Sequence, residues 1–202
     1  MKKENLLFYK NIETLNQNPK WKMNLVLLLL FTTFSALIST SFITKNQKGL
    51  STESGYIDGQ TIHTVTQVIS TTFGVIYTIL SVLTFTLVVI VITKIFKKNV
   101  RNVSILSSIV YMYLIVSGVS LAGLIVQAAV NLNPIDYNIL SLNIFSKNNE
   151  ILSLFNVPLI LKGYLIALIM YITCKFSVKL SISIVVVIIL LQLILGITTT
   201  MI

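Results

Sequence analysis

The chain has 202 residues, of which 55% are hydrophobic and 10% charged, and a mean hydropathy of +0.90. That balance excludes an ordinary soluble domain and indicates an all-α, polytopic membrane protein. One cysteine, Cys174, and one histidine, His63, exclude an internal disulfide and leave nothing for a cysteine- or histidine-rich metal site. Neither a metal nor a cofactor is expected.

The first 22 residues carry seven charges, and within them Phe8, Ile12 and Leu15 recur at helical spacing among Lys10, Asn11 and Glu13. This pattern predicts a short interfacial helix, broken by Asn16 to Pro19, with Trp21 at the headgroup layer. Apolar runs of about 20 residues suffice to cross about 30 Å of hydrocarbon. Five are present, at 23–43, 71–93, 104–130, 157–173 and 182–202, which divides the chain into a cytoplasmic segment (1–22) and a five-helix transmembrane domain (23–202). The first run lacks a small-residue cleavage site and is expected to remain as a span.

The loop from Thr44 to about Ser70 holds Gly49, Gly55, Gly59 and many hydroxyl residues, so much of it is expected to be irregular, with His63 at its surface. In the second span Thr71, Gly74, Thr78, Ser81 and Thr84 share a stripe suited to a helix seam, as do Gly118 and Ala122 in the third. The loop before the fourth span repeats an apolar tetrad, Ile139-Leu-Ser-Leu142 and Ile151-Leu-Ser-Leu154, and is expected to fold back onto the bundle or the membrane surface. Lys162 stands about 7 Å inside the fourth span, counting about 1.5 Å per residue, within reach of the membrane edge. Asp136 and Glu150 are its candidate partners. These three residues are the candidate binding positions.

Lysine and arginine concentrate in short cytoplasmic loops. With the N-terminus inside, eleven basic and two acidic residues fall on the cytoplasmic side and four of each on the other. The whole formal charge of +9 therefore faces anionic lipid, and no nucleic-acid partner is needed to explain it. The chain has no G-x-S-x-G, no H-E-x-x-H, no Walker lysine motif and no carboxylate pair within a span, so no catalytic residue is assigned. Cys174 beside Lys175 is expected to be inert.

Taken in order, Ile12-Glu-Thr-Leu-Asn-Gln-Asn-Pro-Lys-Trp21, the basic loop from Lys94 to Arg101, the serine-rich Asn102-Val-Ser-Ile-Leu-Ser-Ser108, the pair Tyr111 and Tyr113, and the apolar run through Leu154-Phe155-Asn156-Val157 to Gly163 resemble the bacterial type of the Yip family. The resemblance runs from about Ile12 to Ile202. It departs from the family in a longer first outer loop and in Lys162. The resemblance implies five helices and a non-enzymatic role exerted through lipid and other membrane proteins. Bacterial relatives accompany ABC-type exporters that protect the cell from membrane-active antimicrobial peptides, which implies such an exporter as partner and a role as its accessory subunit. Eukaryotic relatives bind Rab-type GTPases through a long N-terminal region; with 22 residues before the first span, that activity is not carried over. A stand-alone bacteriocin-immunity protein and a small-solute channel or carrier remain as alternatives.

The charge split predicts a multi-pass cell-membrane protein with its N-terminus inside and its C-terminus outside. On a Cys174→Ser background, an impermeant maleimide added outside should label Glu53→Cys and not Lys97→Cys. The reverse pattern would refute the orientation.

Overall fold

A computed structural model describes residues 6–47, 59–134, 136–147 and 149–200. Among the described residues the fold is helical and without strands: α1 (Tyr9–Gln17), α2 (Trp21–Gln47), α3 (Gly59–Ile95), α4 (Asn102–Ala129), α5 (Glu150–Leu154), α6 (Val157–Leu168) and α7 (Val178–Thr200). α6 continues into one widened π turn, Ile169–Thr173. Among the described residues, four helices are long and apolar enough to cross a membrane, over Trp21–Phe42, Thr64–Ile95, Asn102–Ala129 and Val178–Thr198. The fourth of the five expected spans is the exception. Val157–Thr173 is a shorter apolar helix, rising about 25 Å at about 1.5 Å per residue against about 30 Å of hydrocarbon. It is short because Asn156 caps it at one end, its side chain accepting from the Leu159 amide, while the chain turns away after Cys174 at the other.

Helix replaces much of the expected first loop. α2 runs on to Gln47 and α3 begins at Gly59, so the backbone at His63 is helical, while Gly49, Gly55 and Glu53 lie outside the described residues. The hydroxyls between Gly59 and Ser70 do not prevent helix; Ser70 returns its own to the Thr66 carbonyl within the helix, at 2.5 Å.

α4 is the centre of the bundle, packing against α1, α2, α3 and α6. Its first turns carry the serine-rich run, and Ser104, Ser107 and Ser108 are all buried. Each serves a different neighbour. Ser104 donates to the Asn16 carbonyl at the end of α1 (2.9 Å), Ser107 accepts from the Lys20 amide just before α2 (3.1 Å), and Ser108 shares a hydrogen bond with Thr173 in the π turn (3.0 Å). Small side chains allow the close approach, and each hydroxyl meets a polar group that hydrocarbon would leave unsatisfied. Arg101 adds a cation at the carboxyl end of α1, donating to the Asn16 and Gln17 carbonyls at 3.5 and 3.1 Å, where the helix dipole favours positive charge.

These contacts define a basal end, where α1, the starts of α2, α4 and α7 and the ends of α3 and the π turn meet. Phe96 and Phe176 pack edge to face across it at 5.3 Å, with Lys98 over the Phe176 ring. The α3–α4 turn closes on Lys97 in the left-handed conformation (φ 51°), with the Lys98 amide reaching back to the Thr93 carbonyl.

α1 does form where the apolar spacing predicts a helix, but its apolar face is turned to protein. Ile12 is fully buried and Leu15 nearly so. Phe8 packs against Tyr111, the Asn11 amide donates to the Tyr111 hydroxyl, and Tyr164 donates to the Leu7 carbonyl at 2.8 Å. Tyr111 and Tyr164 stand about 14 Å from the basal ends of their helices, counting about 1.5 Å per residue. Thus α1 rises beside α4 from the level of Ser104 to that of Tyr111. The short α6 and the small serine face leave a groove, and Ile12 and Leu15 fill it.

The α3 stripe packs as expected over most of its length: a methyl added at Gly74 would sit 3.9 Å from Thr32 of α2. It drifts at the basal side, where Thr84 is exposed and Val82, Thr86, Val89 and Thr93 are buried. In α4, Gly118 lies under Phe31 of α2, whereas Ala122 is exposed and its neighbour Gly123 is buried instead.

Because Ile12 is the most enclosed contact of α1, Ile12→Ala should destabilise the protein by about 2–5 kcal/mol. Glu13→Ala, on the exposed face, should change stability little. Thermal unfolding in mild detergent measures both; equal midpoints for the two variants would show that α1 does not dock.

Candidate functional site

The end opposite α1 is closed by the chain between α4 and α6. α4 stops at Asn131, whose left-handed φ of 52° is tolerated by asparagine, and the Leu132 amide reaches back to the Gln127 carbonyl at 2.9 Å. Gln127, itself buried, donates to the Tyr137 carbonyl and holds the descending loop. A two-bond clasp follows: Leu142 donates to the Phe155 carbonyl and Val157 to the Leu140 carbonyl, pairing Ser141 with Asn156. The first apolar tetrad runs into a 3-10 turn at Leu142–Phe145, and the second forms α5, capped by Asn149.

Two leucines seat this cap. A Cβ placed on Gly123 would lie 2.5 Å from Leu140 Cδ1, and one on Gly196 would lie 2.7 Å from Leu154 Cδ2. Each glycine thus makes room on its helix for one leucine of the loop. Docking of the tetrads on the bundle, expected from their composition, is what the structure shows.

The three candidate residues are not brought together. Asp136 pairs with Lys147 at 3.3 Å, both within the cap, and this is the ion pair among the described residues. Glu150 sits in the first turn of α5 and is exposed, placed to favour that helix end rather than to reach Lys162. Lys162 turns sideways into the bundle: its Nζ lies 5.5 Å from the centre of the Tyr113 ring and 5.9 Å from that of Phe85. Those rings come from α4 and α3 and meet edge to face at 6.4 Å.

The surroundings of Lys162 follow from the shape of α6. Lys162 is one turn and a half from the α6 start, but α6 is short and the cap lies above it, so the residue stands about 16 Å from the basal end of its helix at about 1.5 Å per residue. Its stem ends over two aromatic rings. Two rings within about 6 Å are worth about 0.5 to 2 kcal/mol each, against about 2.5–3.5 kcal/mol for a cation at the centre of a span on insertion scales. The attraction offsets the cost without supplying a counter-charge.

Beside Lys162 a cleft of about 290 Å³ opens between α4, α6 and α7, under the cap. Val116, Leu154, Leu159 and Leu193 form apolar walls; Asn156, Lys162 and Gln192 contribute the polar groups. α6 and α7 approach closely beneath it, where Gly163 receives the end of Ile189. Gln192, Tyr113 and Phe85 are not signalled by the sequence as site residues, since each is one polar or aromatic side chain in an apolar run. A lysine inside the fourth run, the shortest of the five, is the sequence signal that points to that region.

Cys174, just past the π turn, is fully buried, and burial pushes its thiol up to about 12. No group of three His, Cys, Asp or Glu able to hold a metal occurs among the described residues. Compared with known proteins, the chain matches no family model, no curated protein and no solved structure.

If the leucine–glycine contacts hold the cap, Gly123→Leu should displace Leu140 and speed amide hydrogen exchange across 131–147 by at least about tenfold, equivalent to about 1.4 kcal/mol. Ala122→Leu, on the exposed neighbour, should leave exchange unchanged. Protein reconstituted in bilayers gives the measurement, and no difference between the two variants would show the cap is held elsewhere.

Proposed function

We propose that this chain is a non-enzymatic protein of the cell membrane, with its basal end cytoplasmic, that acts as an accessory subunit to another membrane protein. Following the Yip-type resemblance, the partner is an ABC-type exporter that protects the cell from membrane-active peptides. Of the physical features, the uncovered face of α3 carries the reading. Phe73, Tyr77, Leu80, Leu87 and Val91 are more than half exposed and fall along one side of this helix. Its apolar stretch of 32 residues rises about 48 Å at about 1.5 Å per residue, well beyond about 30 Å of hydrocarbon. A helix this long, with two aromatic anchors on its free side, offers an extended ridge for a neighbouring membrane protein. The concentration of Lys94, Lys97, Lys98, Arg101, Lys175 and Lys179 around the basal end supports the cytoplasmic assignment.

Tagged protein extracted in mild detergent should retain an exporter subunit, and Phe73→Ala combined with Tyr77→Ala should lower its recovery without lowering the yield of the chain itself. Solute flux by the purified chain in liposomes would replace this reading with the carrier. Peptide protection undiminished in cells lacking the exporter would replace it with the immunity protein.

A further inference from the structure

Lys162 places a cation in the interior of the bundle, and the residues around it explain how it is tolerated but not what it is for. Its nearest polarised neighbours are two ring faces, which attract a cation without neutralising it. Carboxylates do not reach it among the described residues: Asp136 is committed to Lys147, and Glu150 is exposed in the first turn of α5. A structural lysine could have been replaced by leucine, whose neighbours on α6 are leucine and isoleucine. Instead, the ammonium is held beside an open cleft whose other polar members are an amide, Gln192, and the cap residue Asn156.

Asn156 is already engaged. Its side-chain oxygen accepts from Leu159 and its nitrogen donates to the Ser153 and Leu154 carbonyls. Lys162 and Gln192 are the two donors that the cleft can offer to a ligand. Two donors, one of them an ammonium, select an anionic oxygen, and apolar walls on the remaining sides select something with an apolar continuation. At about 290 Å³ the cleft admits a head and the start of a chain rather than a whole lipid. One of its walls is Leu154, which is seated on Gly196. The docked cap therefore shapes the site.

We propose that the α4–α6–α7 cleft binds the anionic head of an amphiphile, with Lys162 and Gln192 holding a carboxylate or phosphate oxygen and the leucine walls holding the first part of its chain. The phenyl and phenol faces of Phe85 and Tyr113 keep the ammonium in place when the ligand is absent. This goes beyond the accessory role and stands whether or not a protein partner is found.

The test uses the full chain in phosphatidylcholine nanodiscs, with decanoate, phosphatidylglycerol and inorganic phosphate as probes and native mass spectrometry as the readout. Saturable binding of decanoate or phosphatidylglycerol is expected, and which of the two binds identifies a single-chain acid or a lipid headgroup as the source. Lys162→Met should weaken that binding at least about tenfold, Gln192→Leu less, and Lys162→Arg should retain it within about threefold, since the arginine keeps the charge. In the unsubstituted protein, the bound amphiphile should slow reductive methylation of Lys162 while Lys147 reacts as before. That measurement needs no variant to fold. Binding of inorganic phosphate as tight as that of either amphiphile would overturn the requirement for a tail. Binding unchanged by Lys162→Met, or methylation of Lys162 unaffected by any probe, would overturn the site.

Discussion

Hydrocarbon cannot hydrogen-bond, so polar groups in this bundle depend on the protein for partners, and the first turns of α4 join three separate segments through such bonds. Ser104, Ser107 and Ser108 share one face of the helix and take the end of α1, the start of α2 and the π turn respectively. Their small size is as important as their hydroxyls. Larger residues there would keep α1 out of its groove and part α4 from the end of α6, and the basal end would lose its closure.

The same use of small residues recurs at the other end with apolar chemistry. Gly123 and Gly196 remove side chains from α4 and α7 where Leu140 and Leu154 descend. Each contact is a leucine entering space that only glycine leaves open, so the loop is held by packing and by the Leu140–Val157 and Leu142–Phe155 backbone bonds rather than by charge. The exposed Asp136–Lys147 pair adds little, since surface ion pairs contribute about 0 to 1 kcal/mol. What the cap leaves facing outward includes Phe145, 84% exposed, next to Leu142, Phe155 and Ile160, an apolar rim continuous with the free side of α6.

Between the two closed ends, Lys162 carries a charge that the packing among the described residues does not account for. Interior cations in membrane proteins are costly and lie towards the bundle or a cavity, and this one does both, facing two aromatic rings and bordering a cleft. The arrangement depends on both ends. The π turn and the cap set the height of α6, and that height decides whether Lys162 meets headgroups or rings.

Composition and run length alone determine that the chain is helical and made for a membrane, because the cost of exposing about 20 apolar residues to water outweighs any local preference. Four of the spans were legible in this way, as was the docking of the repeated Ile-Leu-Ser-Leu tetrads, whose apolar content needed cover. The helical spacing of Phe8, Ile12 and Leu15 coincides with α1, yet periodicity says only that a face is apolar, not whether lipid or protein covers it. Tertiary structure decided that. It likewise extended helix through Thr44–Gln47 and past Gly59, where the Ser70 hydroxyl bonds its own turn. It moved the buried small residue from Ala122 to Gly123, since which of two adjacent residues faces inward depends on helix rotation. Above all, the partner of Lys162 lay beyond the sequence: Phe85, Tyr113 and Gln192 come from three different helices, and only the mutual rotation and height of those helices bring their side chains to one ammonium and one cleft.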